Sequence, residues 1–195
     1  MLYRLLIILG SVVLFVNGCN SILSGLTGTH KLRTLTVEEV EQRGIGDADY
    51  VEITGAWRSG IYQYAPPRKG ERKGAVQYPV MSIERLAQLE AGSPVRTAII
   101  AWTEAYDPNC LSPGNCITRG RCTIKGIARK IPKEKNKVHE FPALYEVPPS
   151  AIYIETDRAP LAWYWHLAIM GGAVVVALST EFFYYWRKQK MHKTS

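Results

Sequence analysis

Leu161 to Trp186 reads LAWYWHLAIMGGAVVVALSTEFFYYW, and the reading of this stretch decides the architecture. Its aromatic clusters, Trp163-Tyr164-Trp165 and Phe182 to Trp186, stand about 20 residues apart, or about 30 Å at 1.5 Å per residue, the thickness of a bilayer's hydrocarbon core. Aromatic belts at both interfaces are typical of a membrane span. Arg187, Lys188, Lys190 and Lys193 follow at once, whereas the preceding side holds the mixed pair Asp157 and Arg158. The positive-inside rule then predicts a cytoplasmic C-terminus. A helix buried in a soluble core is the plain alternative, but such helices rarely carry two aromatic girdles and a basic flank. The expectation is a transmembrane helix over 159–186, a basic cytoplasmic tail over 187–195, and a preceding domain outside the cytoplasm.

At the other end, MLYRLLIILGSVVLFVNGC has one arginine, an apolar run from Leu5 to Val16, then a small residue and Cys19. The twelve residues of this run rise only about 18 Å, short for a span and suited to the core of an export signal. Residues 1–19 are therefore expected to be a signal peptide or an N-terminal anchor. Val16-Asn17-Gly18-Cys19 also resembles the lipobox of bacterial lipoproteins, although Asn17 departs from the small or apolar residue usual there. That resemblance implies that the cysteine becomes the acylated first residue of the mature chain. Lipid-modified Cys19, an ordinary cleaved signal and a retained signal-anchor all place residues from about 20 to 158 on the outer face.

The 195 residues suffice for one ordinary domain plus membrane segments, and eleven tyrosines with five tryptophans indicate a folded middle. A linker over 20–34, loose and rich in Gly, Ser and Thr from Asn20 to Thr29, leads into a domain over 35–158. Thr36-Val37-Glu38-Glu39 matches a capping box and predicts a short helix ending at Gly44. Strands are expected at Tyr50 to Trp57, Ile61 to Tyr64 and Ala75 to Met81, the last two forming a hairpin. Ser82 opens a second short helix, stopped by Gly92 and followed by a strand from Val95 to Trp102. Further strands are expected at Arg121 to Ala128 and Ala151 to Glu155. The fold class is thus α+β: a small β-rich domain with two short helices, either a mixed sheet or a partly closed barrel of OB-like type, plus one C-terminal transmembrane helix.

Cys110, Cys116 and Cys122 share a loop dense in Asn, Pro and Gly, and in an exported domain they are disulfide candidates. Their spacing lacks the close pairs of structural zinc sites and the Cys-x-x-Cys of redox pairs, so neither a metal nor a cofactor is expected. The net charge of +7 is concentrated in Arg119, Arg121, Lys125, Arg129, Lys130, Lys133, Lys135 and Lys137. Nucleic acid fits poorly outside the cytoplasm, with few aromatics between the charges; anionic lipid or an acidic protein face fits better, against the plain reading of a solvated loop. In the membrane helix, Ala168 and Gly172, then Ala173 and Ala177, stand four apart, which favours close approach of another helix. His166 and Glu181 lie about 22 Å apart along the helix axis and cannot pair within it.

No nucleophile elbow, His-Glu-x-x-His or phosphate loop appears in the sequence. The leading expectation is a non-enzymatic accessory, assembly or scaffolding subunit of the bacterial inner membrane. It would act through other membrane proteins or copies of itself, and through the membrane surface. The alternative is a membrane-anchored enzyme acting on envelope material, with His139 as the base and Glu104, Asp107, Glu140 and Glu146 as candidate carboxylates.

Overall fold

The computed structural model describes residues 2–65, 74–111, 115–129 and 141–193. In chain order its elements are α1 (Leu2–Leu26), β1 (Arg33–Thr36), α2 (Val37–Arg43), β2 (Tyr50–Arg58), β3 (Gln63–Ala65), β4 (Ala75–Met81), α3 (Ile83–Glu90), β5 (Val95–Arg96), β6 (Ile99–Thr103), a 3-10 turn (Pro108–Leu111), β7 (Gly120–Arg129), β8 (Tyr145–Glu146), β9 (Ile152–Glu155) and α4 (Trp163–Lys193). The chain divides into a helical unit of 1–28 with 160–195 and a second unit of 29–159.

Within 29–159 the sheet order is β1-β2-β7-β9-β6-β4-β3, and β2 also pairs with β4, closing β2-β7-β9-β6-β4 into a five-stranded barrel. Its pairings are antiparallel except for the parallel pair β6 and β9. Closure requires the end of β2 to pair along both edges, with β7 on one side and β4 on the other, and the strand bends just before this point at Gly55. The register of β2 on β7 shifts between Ile53 and Ala56, and Gly55 has φ +72°, a conformation open to glycine at no steric cost. Beyond this bulge Trp57 and Arg58 pair with Met81 and Val80 to make the closing seam.

Alternation along the strands sorts the side chains into two cores. Val51, Ile53, Val76, Tyr78, Val80, Ile99, Ala101, Ile124 and Ile154 fill the barrel, joined by Val37 and Val40 of α2. Met81, Leu86, Ile100, Phe141, Tyr145, Ala151 and Tyr153 form the second, outside the barrel wall and beneath α3. Strand β4 serves both, so all seven of its residues are buried. At 126 the wall comes so close that a Cβ there would lie on the Glu155 carbonyl and against the Thr156 Cα; only glycine leaves room for β9 to cross.

Both short helices form where expected. Thr36 accepts from the Glu39 amide and Glu39 accepts from the Thr36 amide, at 3.3 and 2.8 Å, and Gly44 closes α2 with its amide on the Val40 carbonyl. Helix α3 is held differently, since Ser82 makes no side-chain cap bond. Instead the largely buried Glu41 carboxylate of α2 accepts from the Ser82 amide at 3.0 Å and from Arg85 at 3.2 Å.

Several expectations need correction. The strand expected from Val95 to Trp102 is two strands in different sheets: Val95 and Thr97 donate to the Leu144 and Glu146 carbonyls, drawing β5 onto β8, and the chain joins β4 and β9 only from Ile99. Strands β1 and β8 were not expected. The hairpin is present, with its first strand at Gln63–Ala65 rather than Ile61 to Tyr64. The N-terminal helix does not end with the apolar run. It continues through Cys19 and the supposedly loose Asn20–Leu26, where Ile22, Leu23 and Leu26 extend its apolar surface past Asn20, Ser21 and Ser24.

The helical unit is an antiparallel pair. Arg4 of α1 meets Glu181 of α4, and Gly18 of α1 meets Met170 and the His166 carbonyl. Both helices are long and apolar enough to cross a membrane, so the single span expected at the C-terminus has a second candidate beside it. Helix α4 begins at Trp163 and runs through the basic residues to Lys193.

Substituting Gly126→Ala is expected to lower the unfolding free energy of the 29–159 unit by about 1–3 kcal/mol, the range for overpacking a closed site. Denaturant unfolding followed by tryptophan fluorescence reads this, and an unchanged midpoint would contradict the close crossing.

Candidate functional site

Alternation on β7 buries Ile124 and Gly126 and leaves Arg121, Thr123, Lys125 and Arg129 exposed. Four of the eight basic residues singled out in the sequence are described here: Arg121, Lys125 and Arg129 share this outward face, at intervals of about 13 Å for four residues of strand, and Arg119 precedes it. Lys130, Lys133, Lys135 and Lys137 lie outside the described residues, as do His139 and Glu140. The four are not equivalent. Arg119 pairs with Glu90, and Arg129 donates to Glu155 at 3.3 Å. Lys125 sits 5.7 Å from the Tyr50 ring centroid, opposite Glu52 in register. Arg121 stands opposite Trp57 and has no acidic partner among the described residues. Arg121 is therefore a residue of the face with no acidic neighbour in register, whereas Lys125 has Glu52 across the strand but no ion pair with it.

A second surface forms where β6 and β9 end together. Trp102, Glu104, Glu155, Asp157 and Arg158 line a cleft of about 90 Å³. Asp157 organises it: its Oδ2 accepts from the Thr103 hydroxyl at 2.7 Å and from the Glu104 and Ala105 amides at 2.7 and 3.2 Å. Glu155 is held between Arg129 and Arg158, at 3.3 and 3.8 Å, and Arg158 reaches Glu104 at 3.9 Å. Carboxylates engaged in this way position a turn and neutralise two guanidinium groups. Of the carboxylates proposed for catalysis, Glu104 lies here, whereas the Asp107 side chain accepts from the Asn109 amide in its own turn and Glu146 belongs to β8. The Trp102 indole N–H and the Gln77 side-chain oxygen are shielded from solvent without a partner. Register places them side by side, a donor next to an acceptor.

Inside the barrel, three polar residues influence one another. Burial pushes the Tyr78 phenol up to about 12, the nearby Cys122 thiol adds to the rise, and the Arg58 guanidinium opposes it. Burial also raises the Cys122 thiol above its ordinary value, again opposed by Arg58. A thiol held neutral is a poor nucleophile, which makes Cys122 a packing residue of the wall. Burial alone pushes Tyr153, in the outer core, up to about 12. Of the three cysteines expected to pair, Cys110 and Cys116 form the disulfide and Cys122 stays free, as does Cys19. Cys122 is in β7 opposite Ala56, so its position is set by the barrel rather than by the loop. No group of three or more His, Cys, Asp or Glu side chains able to hold a metal occurs among the described residues.

In the helical unit the two small-residue rows part company. Ala173 is buried and Ala177 half-buried on the side of α4 that meets α1, whereas Ala168 and Gly172 are exposed, and nothing stands within 4 Å of where a Gly172 Cβ would be. Cys19 packs with its sulfur 3.9 Å from that of Met170. Sequence reasoning paired neither Arg4 nor Glu181 with anything; the available signal was that each is the lone Asp, Glu, Lys or Arg in its helix up to Trp186. It also missed Glu155, Asp157 and Trp102 as neighbours, because they meet only through the parallel β6–β9 register.

No protein-family model, curated protein or solved structure matches the chain.

Two measurements check this geometry. Denatured without reductant, the protein is expected to alkylate at the two free cysteines, and after reduction at all four; four reactive thiols without reductant would remove the disulfide. Alkaline stability tests the tyrosines. Burial pushes both phenols up to about 12, above the ordinary tyrosine value of 10.0, so the stability they contribute is full below pH 10 and drains as pH rises from 10 through about 12. The double variant Tyr78→Phe, Tyr153→Phe is expected to flatten this decline in a circular-dichroism titration between pH 9 and 12.

Proposed function

We propose that the chain is a membrane-anchored accessory or scaffolding subunit that holds its barrel against an anionic surface. The observation that carries this reading is the outward face of β7, where Arg121 and Lys125 are exposed with their charge uncompensated by any ion pair among the described residues. A strand lying flat in a barrel wall presents such residues at fixed intervals and with little loss of backbone entropy on docking, which suits binding better than turnover. The fold supports the same reading. Numbering the barrel strands in chain order, their spatial order is 1-2-3-5-4 with the third and fifth parallel, an OB-type arrangement, and small barrels of that type are binding platforms.

Two features support a placement. The basic residues after Trp186 favour a cytoplasmic C-terminus by the positive-inside rule, and the Cys110–Cys116 disulfide suits an oxidising compartment. Together they support a barrel on the outer side of a bacterial cytoplasmic membrane, within reach of anionic head groups. The exposed Ala168–Gly172 row supports association with a further membrane helix, from a partner subunit or another copy of the chain.

Vesicle co-sedimentation of a fragment covering 29–159 tests the surface. Binding is expected to vesicles containing anionic phospholipid and to weaken as ionic strength rises, and Arg121→Glu with Lys125→Glu is expected to abolish it. Equal binding to neutral vesicles, or an unaffected double variant, would exclude the basic face as the contact.

A further inference from the structure

We propose that Leu2–Leu26 stays in the mature protein as a second membrane-spanning helix, locked to α4 by an Arg4–Glu181 ion pair, and that Cys19 is a residue of this helix contact rather than an acylated N-terminus. The strongest ground is the matching of charges. Arg4 is the only Asp, Glu, Lys or Arg of α1, and Glu181 is the only one of α4 between Trp163 and Trp186. These two residues, 177 positions apart, meet as a bidentate pair, Nε to Oε1 at 2.7 Å and Nη2 to Oε2 at 2.5 Å. The guanidinium also lies 4.1 Å from the Tyr184 ring centroid. An ionised group in an apolar span calls for a counter-charge, and each of these supplies the other's.

The opposite end of the contact is equally specific. A Cβ at Gly18 would run into the Met170 side chain and come within 3.3 Å of the His166 carbonyl oxygen, so the glycine before Cys19 has a packing reason to be small. Between the two ends Ser11 of α1 and Ala173 of α4 are buried. The contacts Arg4, Ser11 and Gly18 recur every seven residues, a single stripe of an α-helix. With 25 residues, α1 rises about 37 Å at 1.5 Å per residue, enough for a hydrocarbon core of about 30 Å. Lipoprotein processing would hydrolyse the Gly18–Cys19 bond. It would carry away Arg4, Ser11 and Gly18 together, leaving Glu181 without its cation and Ala173 uncovered. Retention puts both ends of the hairpin on the same side of the membrane.

The test uses the full chain, purified from membranes with a C-terminal tag. Intact-mass spectrometry with N-terminal peptide mapping is expected to find Arg4 in the mature protein and no diacylglyceryl or acyl mass on Cys19. A mature N-terminus at Cys19, or anywhere beyond Arg4, would overturn the proposal. Charge exchange then tests the lock: Glu181→Arg is expected to lower the thermal midpoint of the detergent-solubilised protein, and Arg4→Glu in the same chain to restore it. A double exchange no more stable than Glu181→Arg alone would overturn the ion pair as the clamp. Cys19→Ala is expected to accumulate in the membrane at the wild-type level, whereas loss from the membrane would speak for acylation.

Discussion

The barrel depends on the bend in β2. A strand that stayed straight would leave β4 an open edge; the positive φ of Gly55 bends it so that Trp57 and Arg58, still paired with Arg121 and Gly120 of β7, also meet Met81 and Val80. A closed wall fixes which residues point in and which point out. β7 alternates from Arg121 to Gly126, so with Ile124 inside, Arg121 and Lys125 face outward, and Arg129 is exposed at the strand's end. The same closure brings β9 between β6 and β7, and Gly126 permits the close crossing that puts Glu155 next to Arg129.

That crossing divides the positive charge. Glu155 draws in both Arg129 and Arg158, so the end of β7 next to β9 is nearly neutral, and Asp157 is committed to the turn after Thr103. Arg119 is tied to Glu90. What remains uncompensated lies farther along β7. The face is therefore narrower than a count of lysines and arginines suggests, and its limits come from the register of β9 rather than from β7 itself.

Local features of the chain were legible in the sequence. Thr36 and Glu39 made a recognisable capping box, the alternation in Tyr50 to Trp57 and Arg121 to Ala128 marked strands, and the aromatic girdles marked α4. Features that depend on partners distant in sequence were not. Val95 to Trp102 is one apolar run, and nothing within it announces that Val95 will bond to Leu144 while Ile99 joins the barrel. Composition misled at Asn20–Leu26, where Ser, Asn and Gly suggested a loop although the helix continues. The three clustered cysteines looked equivalent, yet Cys110 and Cys116 belong to a loop free to close on itself and Cys122 to a strand whose direction the sheet dictates.

The two long apolar helices show the same limit and a way past it. Arg4 read alone is the positive flank of an export signal, and Glu181 read alone is an interfacial acid near the end of a span. Each of those readings is complete by itself, so neither residue asks for a partner. Only the packing of Gly18 on Met170 sets a helix register, and that register brings the two lone charges together at the other end of the contact. Tight contact between small residues fixes where two helices sit, and the position so fixed decides whether a charge in an apolar segment is exposed or neutralised.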